Sequence, residues 1–565
     1  MWYNIFEMVS YAKDINAALS KVLSGLGVEK LPKGLIVSSD LEKGDYSTSV
    51  ALKAANNAGK SPMDLAQEIA DKLNKEHEIE AEVASPGFVN IKIPQSFFGS
   101  YLDSMLNGSE EIDLTTKSKS GKKIIVEYTD PNPFKEFHVG HMYSNAVGES
   151  IARLLEAQGA EVRRVYYQGD VGLHVAKAVW GMKKLMGEMP GEADDLSKKA
   201  VFLGKSYTEG SKAYEEEAFK KGIDSLNEKI YKNDKEVKKL YDLGKKWSLQ
   251  YFDSLYKKLG TRFDKFYFES EAGGEGLKIV NENTPKVFKE DEGAIIFKGE
   301  EYGLHTRVFI NSRGLPTYEA KELGLAPLKY KDFPYDTSII ITGNEINEYF
   351  KVLLKALSFI TPDLADKTIH LSHGMVRLTS GKMSSRTGKV LTAEEILLDI
   401  KSKIKDKFDR VDEKSLSSIS VGAAKYALLK SGIGKDIVFD VEESISLNGN
   451  SGPYLQYTYA RTQSILSKKS ASKANLPAVL AKEELNLLRN LVHFGEVVEE
   501  ASETFSPSTL ATYLFGLAQN FNLFYQKHKV IDSETEEFRL ALVYSAGATL
   551  KRGLGLLGIE APSRI

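Results

Sequence analysis

The sequence predicts a multidomain α/β protein: a doubly wound parallel sheet that carries the chemistry, a small α/β domain before it and an α-helical bundle after it. Three observations predict this. From Lys123 onward, apolar strand-like runs alternate with amphipathic helical runs, the pattern of a parallel sheet. Before Lys123, two helical patterns and one strand precede a turn-rich crossing. After about Phe439 the apolar spacing is helical to the last residues. A chain of 565 residues exceeds what one hydrophobic core organises, so more than one domain is expected on length alone.

Taken in order, helical spacing near Ile5 to Leu26 and Ser61 to Leu73, with the strand-like PGFVNIKI from Pro86 to Ile93, gives a small α/β domain over residues 1–110. Asn107 to Lys122 is poor in apolar residues and reads as a surface crossing. KIIVEY, then the helical run from His138, then EVRRVYYQ, with DTSIIIT and KTIHLS later, predict a Rossmann-like domain over 111–440. A Lys/Glu-rich helical tract at about 187–261 interrupts it; its charges read as a solvated helix face, with RNA contact the lesser alternative. Residues 441–565 form the helical bundle.

Hydrophobic content of 42% and charged content of 27% fit ordinary globular domains. With a net charge of −3, any nucleic-acid contact must come from local basic faces. The chain has 0 cysteines, which excludes disulfides, thiolate catalysis and cysteine-built zinc sites; no structural zinc is expected, and no metal ligands are assigned. The start, MWYNIFEMVSYAKDI, lacks a basic segment followed by an apolar run, and no stretch reaches membrane-spanning length. A cytoplasmic location without a membrane partner is expected.

Two motifs carry chemistry. His138-Val139-Gly140-His141 follows a strand and a Pro-rich loop and opens a predicted helix, whose N-terminus offers free N–H groups and positive charge to a phosphate. Gly allows close approach to the backbone. Alone, the tetrapeptide is equally compatible with two ordinary turn histidines. Gly381-Lys382-Met383-Ser384-Ser385-Arg386-Thr387-Gly388 follows the strand KTIHLS; a basic, hydroxyl-rich loop there suits a leaving pyrophosphate, and alone it is more simply a flexible surface loop. The pair in this order is far more specific than either.

HVGH and KMSSR resemble, in order and separation, the two signatures of class I aminoacyl-tRNA synthetases. The resemblance narrows elsewhere. EYTDPNPFKEFHVGH (Glu127 to His141), NGNSGPYLQYTYARTQSIL (Asn448 to Leu466) and the closing LKRGLGLLGIEAPSRI are similar to arginyl-tRNA synthetases. So are KGDYSTSVALKAANNAGKSPMDLAQEIADKL and SPGFVNIKI, which look like that family's additional N-terminal domain, associated with the tRNA elbow. The match covers nearly the whole chain, the charged insertion excepted.

The resemblance implies an arginine–tRNA ligase whose ATP, with Mg2+, and L-arginine form an adenylate that is passed to tRNA(Arg), with tRNA needed for efficient activation, in a monomer. It implies His138, His141, Lys382 and Lys135 as catalytic residues. His138, Gly140, His141, Lys382, Met383, Ser384 and Ser385 fall at ATP-binding positions. Asn132, Asp130, His138, Glu269, Tyr318 and Glu322 fall at the arginine site, where a planar guanidinium calls for carboxylates in forked hydrogen bonds and an aromatic face. Taken singly, Glu269 and Glu322 read as exposed charges, and Tyr318 is equally compatible with a place in the core. Tyr454, Gln456, Tyr457 and Arg461 are candidates for tRNA contact. This chain departs from the family pattern at Glu322, where Asp is usual, Asp130 in place of Ser, and Ile346 and His174, each in place of Gln. The alternatives are a tRNA-binding paralogue that has lost catalysis and a class I enzyme for another cationic amino acid.

Overall fold

The computed structural model describes residues 11–28, 36–37, 43–108, 115–379, 392–407 and 411–565. Its centre is a five-stranded sheet in the order Thr368–His373, Thr337–Gly343, Lys123–Glu127, Glu161–Gln168, Lys265–Phe268. Every neighbouring pair in it is parallel, so each strand is reached through a crossover, and helices cover the faces. The chain builds outward from Lys123–Glu127 in one direction and returns to its other side with Thr337–Gly343. The order therefore reverses between these two strands, and such a switch point opens a crevice at the carboxyl ends. Glu127, Gln168, Gly343 and His373 end four of the strands, and Glu269 directly follows the fifth.

The N-terminal part is a four-stranded antiparallel sheet with helices Tyr11–Gly25, Val50–Ala58, Pro62–Glu76 and Gln95–Asn107. It docks on the helical bundle: the Tyr46 hydroxyl donates to Glu496 at 2.8 Å and the Tyr101 hydroxyl to the Leu491 carbonyl at 2.9 Å, while Asp45 pairs with Arg489. Its first described helix begins at Tyr11. The bundle runs through Gly452–Leu466, Lys482–Val492, Phe494–Glu503, Pro507–Lys527 and Glu536–Leu556. Helix Glu413–Leu429, which lies before the expected boundary, also packs against it. An antiparallel three-stranded sheet of Lys289–Asp291, Ala294–Phe297 and Arg307–Ile310 was not anticipated; its strands are only three or four residues long, too short to show a clear alternation.

The charged insertion forms helices Leu196–Tyr214, Glu217–Tyr231 and Lys235–Leu259. Its charges do face solvent, as the Lys229–Glu236 and Lys238–Asp242 pairs illustrate, yet it also shares a core with helix Leu173–Lys184, with Phe202, Ile223 and Trp247 buried together with Val175 and Met182. Phe134, from the loop before HVGH, belongs to that core. No helix among the described residues is long and apolar enough to cross a membrane.

Helix Val139–Ala157, which begins at the HVGH signature, is buried along most of its length. Its far half grips the closing helix Glu536–Leu556: Ser150 donates to the Leu556 carbonyl at 3.0 Å and Arg153 to that of Gly555 at 2.8 Å. Two further carbonyls just beyond are met by Lys425, at 2.9 Å from Gly558, and Gln456, at 2.7 Å from Glu560. The last carbonyls of a helix lack internal partners; Ser150, Arg153 and Lys425 meet the end of the closing helix and the residues after it and so tie the two parts together, while Gln456 fastens the tail within the bundle. Gly148 lets the signature helix lie against Tyr128, because a Cβ there would stand 2.1 Å from the tyrosine ring. Gly148→Ala is therefore expected to cost roughly 1–3 kcal/mol by overpacking and to lower the apparent Tm; an unchanged Tm would refute this contact.

Candidate active site

The loop between strand Lys123–Glu127 and helix Val139–Ala157 bends sharply. Thr129, Asp130 and Phe134 take φ values of 81°, 41° and 67°, a region that non-glycine residues occupy at a cost of about 1–3 kcal/mol each. Several hydrogen bonds over-determine it. The Thr129 N–H donates to Ser144 Oγ at 2.9 Å, and Asp130 accepts from the Tyr167 N–H at 2.8 Å. Gln168 donates to the Pro131 carbonyl at 2.8 Å, and Asn132 accepts from the Gly169 N–H at 2.9 Å. Ser248 of the insertion accepts from the Phe134 N–H at 2.9 Å. The neighbouring Gly244 leaves room for the Phe134 ring, which a Cβ would approach to 2.2 Å.

The loop delivers His138 to the N-cap of the signature helix. His138 Nδ1 accepts from the Gly140 N–H at 3.1 Å, and His141 Nδ1 accepts from the His138 N–H at 3.2 Å. In each ring the nitrogen facing the backbone is thus an acceptor, so in the neutral imidazole the proton resides on Nε2. The rings stack with centroids 3.6 Å apart. Burial, then the Lys135 ammonium and His373, push His138 down to about 4; burial, then His138 and Lys135, push His141 well below the ordinary histidine range. Two neutral rings at a positive helix end present Nε2–H donors, which suits an oxyanion at phosphorus. At Gly140 a Cβ would stand 3.0 Å from the His138 ring, so glycine there permits the cap.

Beside this pair lies an acidic pocket. A Cβ at Gly169 would be 2.6 Å from Asn132 Oδ1, 3.0 Å from Glu269 Oε1 and 3.2 Å from the His174 ring, so these three converge on one backbone position. Glu269 and Lys321 form a buried pair at 2.6 Å, and Glu127 and Lys329 another at 2.8 Å. Asp130 and Glu322 have no ion-pair partner among the described residues: burial, then the charge of Glu127, raise both carboxyls well above their ordinary values, opposed in part by Lys329. The lysines thus answer two of the four carboxylates. His174 donates Nε2–H to the Gly169 carbonyl at 2.7 Å, and burial with nearby Lys135 lowers it to about 3. Ile346 packs among apolar side chains behind the crevice.

Tyr318 begins helix Tyr318–Asp332 and is 56% exposed, at the rim rather than in a core. The Lys321 ammonium lies 5.1 Å from its ring and 5.6 Å from that of Tyr231. Lys135 lies 5.2 Å from the ring of Tyr207. Tyr207 and Tyr231 come from the insertion, which sequence reasoning did not connect with the site. It also missed Tyr167, whose buried hydroxyl has no hydrogen-bond partner among the described residues and lies within electrostatic range of Glu269 and Glu322, and His373, which packs 4.5 Å from Tyr143. The available signal was position: both lie at or near the carboxyl end of a sheet strand. Lys382, Met383, Ser384 and Ser385 lie outside the described residues.

Of the candidates for RNA contact, Tyr457 is partly exposed and Arg461 stacks over it at 5.0 Å and over Tyr525 at 5.6 Å. Tyr454 is half-buried, its hydroxyl accepting from Asn522 at 3.0 Å. Gln456 is fully buried and its amide donates to the Glu560 carbonyl. Its helix turns it inward because it follows the apolar stripe through Leu455 and Tyr459.

A capped histidine pair at the switch point of a parallel sheet, followed by an α-helical domain, defines the class I aminoacyl-tRNA synthetases. The family model for tRNA synthetases class I (R), catalytic domain, matches residues 102–441. The arginyl tRNA synthetase N terminal domain matches 10–93, and the DALR anticodon binding domain 455–565. The chain belongs to the arginyl-tRNA synthetase family. Relatives include an arginine–tRNA ligase of Bacteroides thetaiotaomicron, 31% identical over 97% of this chain and 99% of that protein, and one of Borrelia garinii, 32% identical over 96% of each. The fold is that of Thermus thermophilus arginyl-tRNA synthetase, with TM-score 0.81 at 24% identity over 98% of this chain and 100% of that one.

Because both signature rings are held by backbone N–H groups, nitrogen NMR is expected to show His138 and His141 as neutral Nε2–H tautomers throughout the neutral range. A ring that gains a proton near pH 6.5, the ordinary value, would contradict the capped geometry.

Proposed function

We propose that this chain is an arginine–tRNA ligase. An arginine carboxylate oxygen attacks the α-phosphorus of ATP, the bond to the β-phosphate oxygen breaks, and pyrophosphate leaves. The 2′-hydroxyl of the terminal tRNA ribose then attacks the adenylate carbonyl, losing its proton as the acyl–phosphate bond breaks and AMP departs. His138 and His141 donate to the reacting α-phosphate, Gly140 lies against the adenine, and Lys135 adds positive charge beside the pair. Lys382, Met383, Ser384 and Ser385 hold the pyrophosphate end by resemblance. Such catalysis is positioning and charge stabilisation. Mg2+ enters with the ATP phosphates as part of the substrate.

The observation that carries the amino-acid assignment is the charge imbalance of the pocket. Arginine brings a guanidinium and an α-ammonium; Asp130 and Glu322 form no ion pair among the described residues, and burial and Glu127 raise their carboxyls against the opposing ammonium of Lys329. We assign the guanidinium to Glu322, Glu269 and the Tyr167 hydroxyl, with Tyr318 as the aromatic rim, and the α-amino end to Asn132 and Asp130. The extra methylene of Glu322 over Asp changes its reach and keeps its charge. The intact signature histidines weigh against a paralogue without catalysis. Tyr457 and Arg461, with Tyr454 beside them, form a cation–aromatic platform of the kind on which unstacked bases rest. The enzyme works as a cytoplasmic monomer, with the N-terminal domain on the tRNA elbow.

The deciding experiment is ATP-dependent charging of total tRNA with each amino acid separately. Arginine alone should be esterified, and His138→Ala should lower the rate by about 100-fold or more, as loss of an oxyanion donor does. Charging of another amino acid would remove the pocket assignment. Tyr167→Phe deletes one hydrogen bond to a charged group and should raise the arginine KM roughly tenfold, leaving the ATP KM unchanged.

Arginine binding should also release protons. The free pocket holds Asp130 and Glu322 with raised pKa values, and a bound cation lowers them again, so the bound state carries fewer protons. The arginine KM should therefore climb as pH falls through the range in which these raised carboxyls take up protons. Calorimetry in buffers of different ionisation enthalpy measures the release, and Glu322→Gln should diminish it; an exchange of zero would rule the linkage out.

A further inference from the structure

Away from the catalytic crevice, the far end of the signature helix, the closing helix and helix Gly452–Leu466 surround a cavity of about 490 Å3. This lies within the ~300–1,000 Å3 typical of small-molecule sites and is far more than a bare phosphate fills. Two helices end here, at Ala157 and Leu556, and a helix C-terminus ordinarily repels anions. In this cavity the exposed carbonyls are already answered. Ala157 O accepts from Thr115 Oγ1 at 2.6 Å and Lys117 Nζ at 3.0 Å. Gly555 O accepts from Arg153, and Leu556 O from Ser150.

Lys551 and Arg552, exposed on the last turns of the closing helix, add positive charge beyond that. Arg552 makes no hydrogen bond or ion pair among the described residues, whereas Glu156, the acid in the wall, is gripped by Arg164 at 2.5 Å and 2.8 Å. The rest of the lining is the apolar surface of Met105, Leu466 and Ala548 with the rings of Tyr459 and Tyr544 and the amide of Gln463. Such a site combines exposed positive charge with a partly aromatic, partly apolar wall.

We propose that this cavity binds a small organic anion with a flat, polar-edged body, of the nucleoside 5′-monophosphate class. The phosphate meets Arg552 and Lys551, and the base lies among Tyr459, Tyr544 and Gln463. Because its walls belong to the helix that begins at His138 and to the helical bundle, an occupant bridges the catalytic and RNA-binding parts of the chain. The site is separate from the substrate pocket and does not depend on which amino acid is charged.

The test is equilibrium dialysis of the full-length protein against guanosine 5′-monophosphate, a probe that is not a product of the reaction. One saturable site per chain is expected, and it should persist in saturating ATP and arginine. Arg552→Glu should weaken it at least about tenfold, the loss of one charge-assisted hydrogen bond, and Ala548→Phe should fill the cavity and abolish binding. Retained arginine charging would show that both variants are folded, and the exposed position of Arg552 keeps the test sound if Ala548→Phe fails to fold. The proposal is overturned by an absence of saturable binding, by displacement with ATP, by binding that ignores the Arg552 substitution, or by equal binding of inorganic phosphate or of guanosine alone.

Discussion

The left-handed backbone of Thr129, Asp130 and Phe134 is the constraint on which the site depends. A loop with such φ values reverts to ordinary conformations unless its surroundings prevent it. Here the restraint comes from every side: Ser144 on the signature helix, Tyr167, Gln168 and Gly169 at the end of the neighbouring strand, and Ser248 of the insertion. The consequence is positional. The loop brings Asp130 and Asn132 beside Glu269 while it sets His138 on the helix cap, so the amino-acid pocket and the phosphate-facing pair are built by the same few peptide units.

Electrostatics divides the buried charges of the molecule into two kinds. Glu149 accepts from Tyr128, Arg153 and Arg164 at 2.6, 2.6 and 3.1 Å, and the two arginines hold its carboxyl below the usual range although burial acts the other way. That group is saturated and holds elements together. Asp130 and Glu322 are the opposite case, pushed up by burial and by Glu127. A buried acid with no cationic partner is destabilising in the empty protein, and such a cost persists where a ligand supplies the missing charge.

Much of this was legible in the sequence. KIIVEY, EVRRVYYQ, DTSIIIT and KTIHLS each became strands of the central sheet because their apolar runs are long enough to exceed the noise of composition. HVGH was legible because its letters and its place before a helix agree. The rest required three dimensions. Tyr207 and Tyr231 lie in helices whose surface is dominated by Lys and Glu, so their approach to Lys135 and Lys321 left no periodic trace. The burial of Gln456 left no sequence signal either, because the carbonyl that its amide meets, Glu560, lies about a hundred residues on, past the end of the closing helix. Glu269 and Glu322, taken singly, looked like solvent charges; the family resemblance marked them, whereas their burial and the company of Glu127 and Asp130 appear only in the fold.

The burial of Phe134 among Val175, Ala178 and Trp247 binds the histories of two stretches of sequence. The inserted helices cannot be exchanged for those of a relative as a self-contained cassette, since part of their interior is supplied by the loop that precedes the signature and by helix Leu173–Lys184. The space at Gly244 and the ring at position 134 are complementary shapes, so substitutions at these sites are expected to travel as a pair through descent. A hybrid assembled at the ends of the insertion would join two halves of a lock cut for different keys.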